Sequence, residues 1–205
     1  MASKRFFATV CKPVLSIFFN NLSGIPFVIR SGILDSLITK PINIQYLISI
    51  NNIDIASLGN VFLGIILLVI SVCDYFLEVE LVNTIGKLFI YIFYVFVGLG
   101  VMYFMFFTFV LSAFWFDDAS WTISFFRNLN GFMDKPTKIF KGLISRIIIY
   151  LLPLALVANI PAGLLIGKSD FGRLDIYLFI TLICFYYISK KMLKHGIKRY
   201  ESASN

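Results

Sequence analysis

The sequence predicts an all-α polytopic membrane protein with four transmembrane helices and a few short interfacial helices. Two observations support this fold class. Hydrophobic residues make up 59% of the 205 residues, whereas charged residues make up only 14%. From Asp54 to the C-terminus, four long stretches also contain no charged residue, at 55–73, 88–116, 147–167 and 176–189. A soluble domain could not bury so much apolar surface, so the lipid bilayer is the expected solvent.

The lengths of the first three stretches define three spans. The hydrocarbon core of a bilayer is about 30 Å thick, and a helix crosses it with roughly 20 apolar residues. Residues 55–73 and 147–167 match this length closely. Residues 88–116 would extend for about 43 Å as one helix. We therefore expect a span at 88–113, followed by three aromatic residues at the membrane interface: Phe114, Trp115 and Phe116.

The fourth stretch is short for a span. Its flanking residues Lys190 and Lys191 can extend their ammonium groups from the membrane edge into water, which allows a span at 174–191. The alternative is a buried helix of a soluble fold, which the three neighbouring stretches disfavour. The predicted transmembrane domain covers 55–191. It lies between a cytoplasmic or interfacial N-terminal segment at 1–54 and a basic cytoplasmic tail at 192–205.

Loop charges predict the orientation, because lysine and arginine favour the cytoplasmic side of a membrane. The segment 1–54, the loop 117–146 and the tail have an excess of basic residues, whereas the loop 74–87 has an excess of acidic residues. We expect a multi-pass protein of the plasma membrane with both termini in the cytoplasm. The net charge of +7 then reflects topology and contact with anionic membrane lipids, and nucleic-acid binding is not expected.

Several chemistries have no residues to support them. Cys11, Cys73 and Cys184 are isolated from one another, and His195 is the only histidine. This spacing predicts no metal site and no disulfide framework. The sequence also lacks a glycine-rich phosphate loop of the kind that binds ATP. We therefore expect a protein that is not an enzyme and has no cofactor, so a partner must hydrolyse any ATP that drives it.

A short amphipathic helix is predicted after an apolar segment at 6–29 that prolines and glycine interrupt. Four apolar residues recur at spacings that place them on one helical face: Ile33, Leu34, Leu37 and Ile38. Gly32 permits a sharp start and Pro41 cannot donate a backbone hydrogen bond, so the helix is about two turns long. Such a helix suits either docking of a partner or lying on the lipid surface, and periodicity alone favours neither.

The basic loop 117–146 contains a second amphipathic pattern. Asp118 can cap a helix there. Apolar residues then follow at spacings of four, four and three: Trp121, Phe125, Leu129 and Phe132. Tryptophan and phenylalanine pack against lipid without a protein partner, so the pattern favours a helix in the plane of the membrane.

The predicted span 147–167 contains Pro153, Asn159 and Pro161. Each proline removes a helical hydrogen bond, so we expect a kinked helix. Asn159 is the strongly polar residue at membrane depth and a candidate for a substrate path. Prolines are also tolerated in membrane helices for packing alone, and the sequence gives the two roles equal weight.

Four sequence segments together resemble a known family. They are Ile29-Arg30-x-Gly32-x-Leu34-Asp35-x-x-Leu37-x-x-x-Pro41, Phe114-Trp115-Phe116, Leu152-Pro153-Leu154-Ala155 followed by Ile160-Pro161-Ala162-Gly163, and the ending Gly196-Ile197-Lys198-Arg199-Tyr200. The chain resembles type-2 ABC transporter permeases, in the subgroup described as ABC-2 family transporter proteins and related to antibiotic exporters. The resemblance covers residue 29 onward. Compared with that family, the first two spans are expected to be missing.

The resemblance implies a role for the short N-terminal helix. The corresponding segment of the family, here residues 30–41, is the coupling helix that sits in a groove of a cytoplasmic ABC ATPase subunit. The residues implied in this contact are Arg30, Gly32, Ile33, Leu34, Asp35, Leu37, Ile38 and Pro41. A second permease chain, identical or different, would complete the membrane part of the complex.

We therefore expect the permease subunit of an ABC transporter, an exporter that works by alternating access while a separate subunit hydrolyses ATP. On this view Leu37 lies on the docking face, so Leu37→Asp would abolish association with the ATPase. The alternative function is a membrane scaffold or accessory subunit without transport, including a truncated permease remnant. ATP-dependent flux into vesicles distinguishes the two functions.

Overall fold

The computed structural model describes residues 22–50, 81–116, 121–125 and 172–200, together with single positions at 59, 62, 66, 128, 157 and 160. Every regular element in these residues is helical, as the sequence predicts. The helices are α1 (Ile25–Arg30), α2 (Ile33–Ile38), α3 (Ile44–Ile50), α4 (Leu81–Val110) and α5 (Arg173–Arg199). A 3-10 turn (Leu111–Phe114) follows α4 directly.

Two helices in the described part of the chain are long and apolar enough to cross a membrane, at Phe89–Phe114 and Leu174–Arg199. They coincide with two of the predicted spans, 88–113 and 174–191. The other two predicted spans, 55–73 and 147–167, lie outside the described residues except for single positions. The described residues are therefore helical, and two of their helices have the length and composition of membrane spans.

Both long helices extend beyond the predicted spans. Helix α4 begins at Leu81, inside the predicted acidic loop 74–87, and its 30 residues reach about 45 Å. Helix α5 continues past 191 to Arg199. A helix need not end at the membrane surface, because its backbone hydrogen bonds are internal and lysine, leucine and methionine are good helix formers in water as well. The first charged residues therefore indicate where each helix leaves the lipid, but they do not indicate where the helix ends.

The start of α5 has a specific stabilising contact. The backbone N–H of Gly172 donates to Oδ2 of Asp175 at 2.9 Å, and the N–H of Asp175 donates back to the Gly172 carbonyl at 3.1 Å. A carboxylate in the first turn also interacts favourably with the helix dipole. At the other end, Lys198 and Arg199 complement the partial negative charge of the last turn.

Helices α4 and α5 pack side by side in the same direction. Aromatic pairs along the contact join Phe93 to Phe179, Phe104 to Tyr186 and Phe114 to Tyr200, with ring centroids 5.9, 5.2 and 6.4 Å apart. Residue numbers rise together along both helices, so the two helices are parallel. Their C-terminal ends therefore lie at the same end of the pair.

The buried side of α4 forms the centre of the described core. Tyr91, Phe107 and Met105 are fully buried there, as is Leu178 of α5. Another side of α4 exposes Phe89 and Phe96, and Phe93 at its edge is partly exposed beside its contact with Phe179. Exposed aromatic side chains of this kind suit a surface in contact with lipid, where apolar groups carry no hydration cost.

The three short helices cover the C-terminal end of this pair. Helix α1 contacts the 3-10 turn after α4, and α2 contacts both α1 and α3. Leu22 and Ile25, which lie at the start of this segment, are buried. The interrupted apolar segment 6–29 thus packs against protein where it is described. Residues 1–21 lie outside the described part.

Candidate functional site

The turn between α1 and α2 depends on one glycine. Gly32 has φ 74° and ψ 0°, which is the left-handed region, and it is the residue before α2. Helix α1 closes with the N–H of Ser31 donating to the Phe27 carbonyl at 2.9 Å. Residues with a Cβ atom adopt the left-handed conformation at a cost, so glycine is the residue that permits this sharp reversal.

Burial divides the predicted apolar face of α2 into two parts. Leu34 is 0% and Leu37 4% exposed, whereas Ile33 is 40% and Ile38 36% exposed. Leu37, which the sequence analysis places on the docking face, packs into the protein itself, and its contact with the ATPase stays a prediction. Successive helical residues are about 100° apart, so the four side chains cover an arc of about 140° with the two leucines in its middle. The two isoleucines lie at its edges.

The outward surface of α2 is apolar and basic. We define the exposed α2 surface as residues that are solvent-accessible around this helix: Arg30, Ile33, Ser36, Ile38, Thr39, Lys40 and Pro41. The hydroxyl of Ser36 donates to the Ile33 carbonyl at 2.8 Å and that of Thr39 to the Ser36 carbonyl at 3.1 Å. These hydroxyls are satisfied locally, so the side chains free for apolar contact are the isoleucines.

A second cluster joins α2 to the end of α5, and we call it the C-terminal junction (Asp35, Phe114, Gly196 and Tyr200). A Cβ atom at Gly196 would lie 2.7 Å from Cγ and 2.9 Å from Cε2 of Phe114, closer than a real Cβ atom approaches another side chain. The Phe114 ring therefore fills the space that glycine leaves. The Tyr200 ring meets the Phe114 ring edge to face at a centroid separation of 6.4 Å.

Tyr200 completes the junction through its hydroxyl. Burial raises the pKa of Tyr200 above its ordinary 10.0, and the nearby Asp35 carboxylate raises it further by its charge and as a hydrogen-bond acceptor. Among the described residues no acceptor meets the buried hydroxyl with full hydrogen-bond geometry, so the Asp35 contact is close but not ideally aligned. The phenol is therefore neutral at pH 7, and it lies near Asp35 of α2 at the end of α5.

A polar network links α3 to the middle of α4. The hydroxyls of Ser49 and Tyr103 are 2.6 Å apart, and the Ser49 hydroxyl also bonds the Gln45 carbonyl at 2.7 Å. The Gln45 side-chain amide donates to the Tyr103 oxygen at 3.4 Å, a longer and weaker contact. Sequence analysis missed this network, because Tyr103 lies in an uncharged stretch and its partners are distant in the chain.

Metal or hydrolytic chemistry has no cluster of residues in the parts of the chain described. No group of three or more histidine, cysteine, aspartate or glutamate side chains is placed to hold a metal ion there. His195 is exposed, and its Nδ1 lies 2.8 Å from the Lys191 carbonyl of its own helix. The contacts found among the described residues are packing contacts and hydrogen bonds between helices.

The comparison with protein families agrees with this arrangement. The model of a family described as ABC-2 family transporter protein matches residues 3–204. This chain belongs to the ABC-2 transporter family. The match includes the segment before residue 29, which the resemblance from motifs did not cover. No curated protein and no solved structure matches the chain. Membership makes it a permease of the ABC transporter class and implies association with an ATP-binding subunit.

Three of the four segments that suggested the ABC-2 family meet at the C-terminal junction. Asp35 comes from the first segment, Phe114 from the second, and Gly196 and Tyr200 from the last. The third segment, with Pro153 and Pro161, lies outside the described residues, and so does Asn159. Two neighbours of these residues, Val157 and Ile160, are helical and buried.

The loop after the second segment of the ABC-2 protein is described only in part. Residues 121–125 are helical, with Trp121 and Phe125 exposed, as expected for a helix at a lipid surface. The other side is fixed to the 3-10 turn, because the hydroxyls of Thr122 and Ser112 are 3.3 Å apart. Asp118, Leu129 and Phe132 of the predicted stripe lie outside the described part.

Proposed function

We propose that this ABC-2 protein is the permease of an exporter that works by alternating access, and that the exposed α2 surface contacts a cytoplasmic ATPase subunit. The main supporting observation is the construction of α2. A left-handed Gly32 sets its start, Leu34 and Leu37 hold it to the protein, and Ile33 and Ile38 stay accessible. A rigidly held helix with an apolar outer edge can bind a partner without losing conformational entropy.

The location of α2 also supports this role. Helix α2 lies at the end of the parallel pair where α5 exposes its basic residues: Lys190, Lys191, Lys194, Lys198 and Arg199. Basic residues mark the cytoplasmic side. Arg30 and Lys40 add positive charge beside α2 itself. These charges support an orientation in which the exposed α2 surface faces the cytoplasm, where an ATPase subunit can reach it.

A second permease chain belongs to the same proposal. Helix α5 exposes a row of apolar residues at helical spacing: Ile176, Ile180, Ile183 and Tyr187. Such a face requires lipid or another apolar helix as its neighbour. In the proposed complex, two permease chains enclose the substrate path and two ATPase subunits drive it. The alternative, a scaffold without transport, differs in giving no ATP-dependent flux.

The docking proposal is tested with single carboxylate substitutions. Ile38→Asp places a charge on the exposed α2 surface, and we expect loss of at least about tenfold in co-purification with the ATPase, because a desolvated unpaired carboxylate at an interface costs several kcal/mol. The matched control is Lys194→Asp, which places the same group at an exposed position of α5. The control should co-purify normally, and both variants should insert into the membrane at wild-type levels.

Comparing Leu37→Asp with Ile38→Asp distinguishes a loss of folding from a loss of docking. Because Leu37 is buried, its carboxylate variant should reduce the amount of folded permease in the membrane, whereas Ile38→Asp should not. Normal co-purification of Ile38→Asp would count against the docking surface. Vesicles that contain the wild-type complex should then show ATP-dependent efflux of a lipophilic dye, and a complex that binds the ATPase but moves no dye would favour the scaffold.

A further inference from the structure

The C-terminal junction connects helix α2 to the end of α5, although the two helices are far apart in the sequence. Asp35 lies in α2, Phe114 ends the 3-10 turn after α4, and Gly196 and Tyr200 lie at the end of α5. Helix α1 packs on the same 3-10 turn, so the segment around α2 touches the ends of both long helices. Residues at opposite ends of the sequence thus share one packed contact.

We propose that Gly196 and Tyr200 are positioning residues that pass a displacement of α2 to α5 through the Phe114 ring. This inference rests on the proposed function, in which an ATPase moves α2. The Phe114 ring has no free space at Gly196, and Tyr200 holds the edge of the same ring. A close-packed contact moves as a unit and does not deform gradually, so α5 must follow when α2 and the 3-10 turn shift.

The C-terminal junction combines a steric contact with a polar contact. The Phe114 and Gly196 contact transmits a push, because the ring and the helix backbone cannot approach further. The Tyr200 hydroxyl also lies near the side chain of Asp35, which adds a second, polar contact between α2 and the end of α5. Together the two contacts couple α2 to α5. The link through α3 and Tyr103 reaches α4.

The experiment uses the native Cys184 as its reporter. Cys184 is exposed on α5, so a fluorophore attached there reports the surroundings of the last span. Cys11 and Cys73 are replaced by serine. The complex with the co-purified ATPase is reconstituted in lipid vesicles, and the emission shift is measured on addition of ATP and vanadate. The unmodified junction should give a nucleotide-dependent shift.

Two variants alter the junction and one control does not. Gly196→Ala should leave ATPase binding intact and reduce the nucleotide-dependent shift about threefold to tenfold, the range that coupling substitutions produce. Adding Phe114→Leu to Gly196→Ala, which makes room for the new methyl group, should restore most of the shift. Gly86→Ala is the matched control, because a Cβ atom there meets nothing within 4 Å. Its shift should equal that of the wild type.

Tyr200→Phe provides an independent test. It keeps the ring contact and removes only the hydroxyl near Asp35, so it should accumulate normally and weaken the shift about twofold to threefold. If Gly196→Ala is poorly produced, this variant decides the outcome. Wild-type shifts in a co-purifying Tyr200→Phe or Gly196→Ala would overturn the inference and leave the docking proposal intact. Failure of the wild type to bind any ATPase would overturn both.

Discussion

Gly32 determines at the level of a single residue how α2 is presented. Its φ of 74° belongs to a conformation that glycine adopts freely and other residues adopt at a cost. Among the described residues, Gly32 is the glycine with a positive φ, and every residue with a Cβ atom there has a negative φ. Among the described residues, the turn therefore requires a positive φ at Gly32 alone.

Replacing Gly32 therefore tests the turn. We expect Gly32→Ala to destabilise the purified permease by about 1 to 2 kcal/mol, because alanine is strained in the left-handed region. Gly86→Ala should have the opposite sign and stabilise by about 0.5 to 1 kcal/mol, because Gly86 lies exposed in α4 with free space around it. Denaturant titration in detergent micelles measures both, and equal effects of the two substitutions would contradict the assignment.

Some helices and contacts could be predicted from the sequence, and others could not. Uncharged length located the spans at 88–113 and 174–191, because the bilayer imposes a simple requirement on apolar residues. Periodicity located α2 and grouped its four apolar residues on one face. Apolarity alone does not say which of them the protein itself buries, and the structure buries Leu34 and Leu37. The junction was not predictable, because it brings together Asp35, Phe114 and Tyr200 from distant segments.

The link between α3 and α4 can be measured as an element contact. Ser49→Ala and Tyr103→Phe each remove one hydroxyl of the pair that is 2.6 Å apart. We expect a coupling energy of about 0.6 kcal/mol and at most about 1.7 kcal/mol in a double-mutant cycle, the average and the maximum found for hydrogen bonds between membrane helices. The cycle compares both single variants and the double variant by unfolding in detergent. A coupling energy of zero would mean that the network does not hold α3.

At the scale of the whole molecule, the parallel arrangement of α4 and α5 constrains the topology. Two parallel helices joined along the chain require the connecting residues to return along their full length. Residues 117–171 make this connection, and the predicted span 147–167 has the length needed. Val157 from its middle packs on α4, where its Cγ1 would be 2.8 Å from a Cβ atom at Gly98. This contact supports a membrane span in the segment that connects α4 to α5.

The parallel arrangement of α4 and α5 also predicts which parts of the chain lie on the same side of the membrane. In a background with all three native cysteines replaced by serine, Ser36→Cys and Lys194→Cys should react with a membrane-impermeant maleimide only after the cells are permeabilised. Both positions are exposed at the basic end of the described structure, near the ends of α4 and α5. Ser169→Cys, in the predicted loop 168–175 before α5, should react in intact cells, because a span separates it from that end. Labelling of Ser36→Cys in intact cells would place α2 outside, where no ATPase could reach it, and would remove the basis for nucleotide-driven transport.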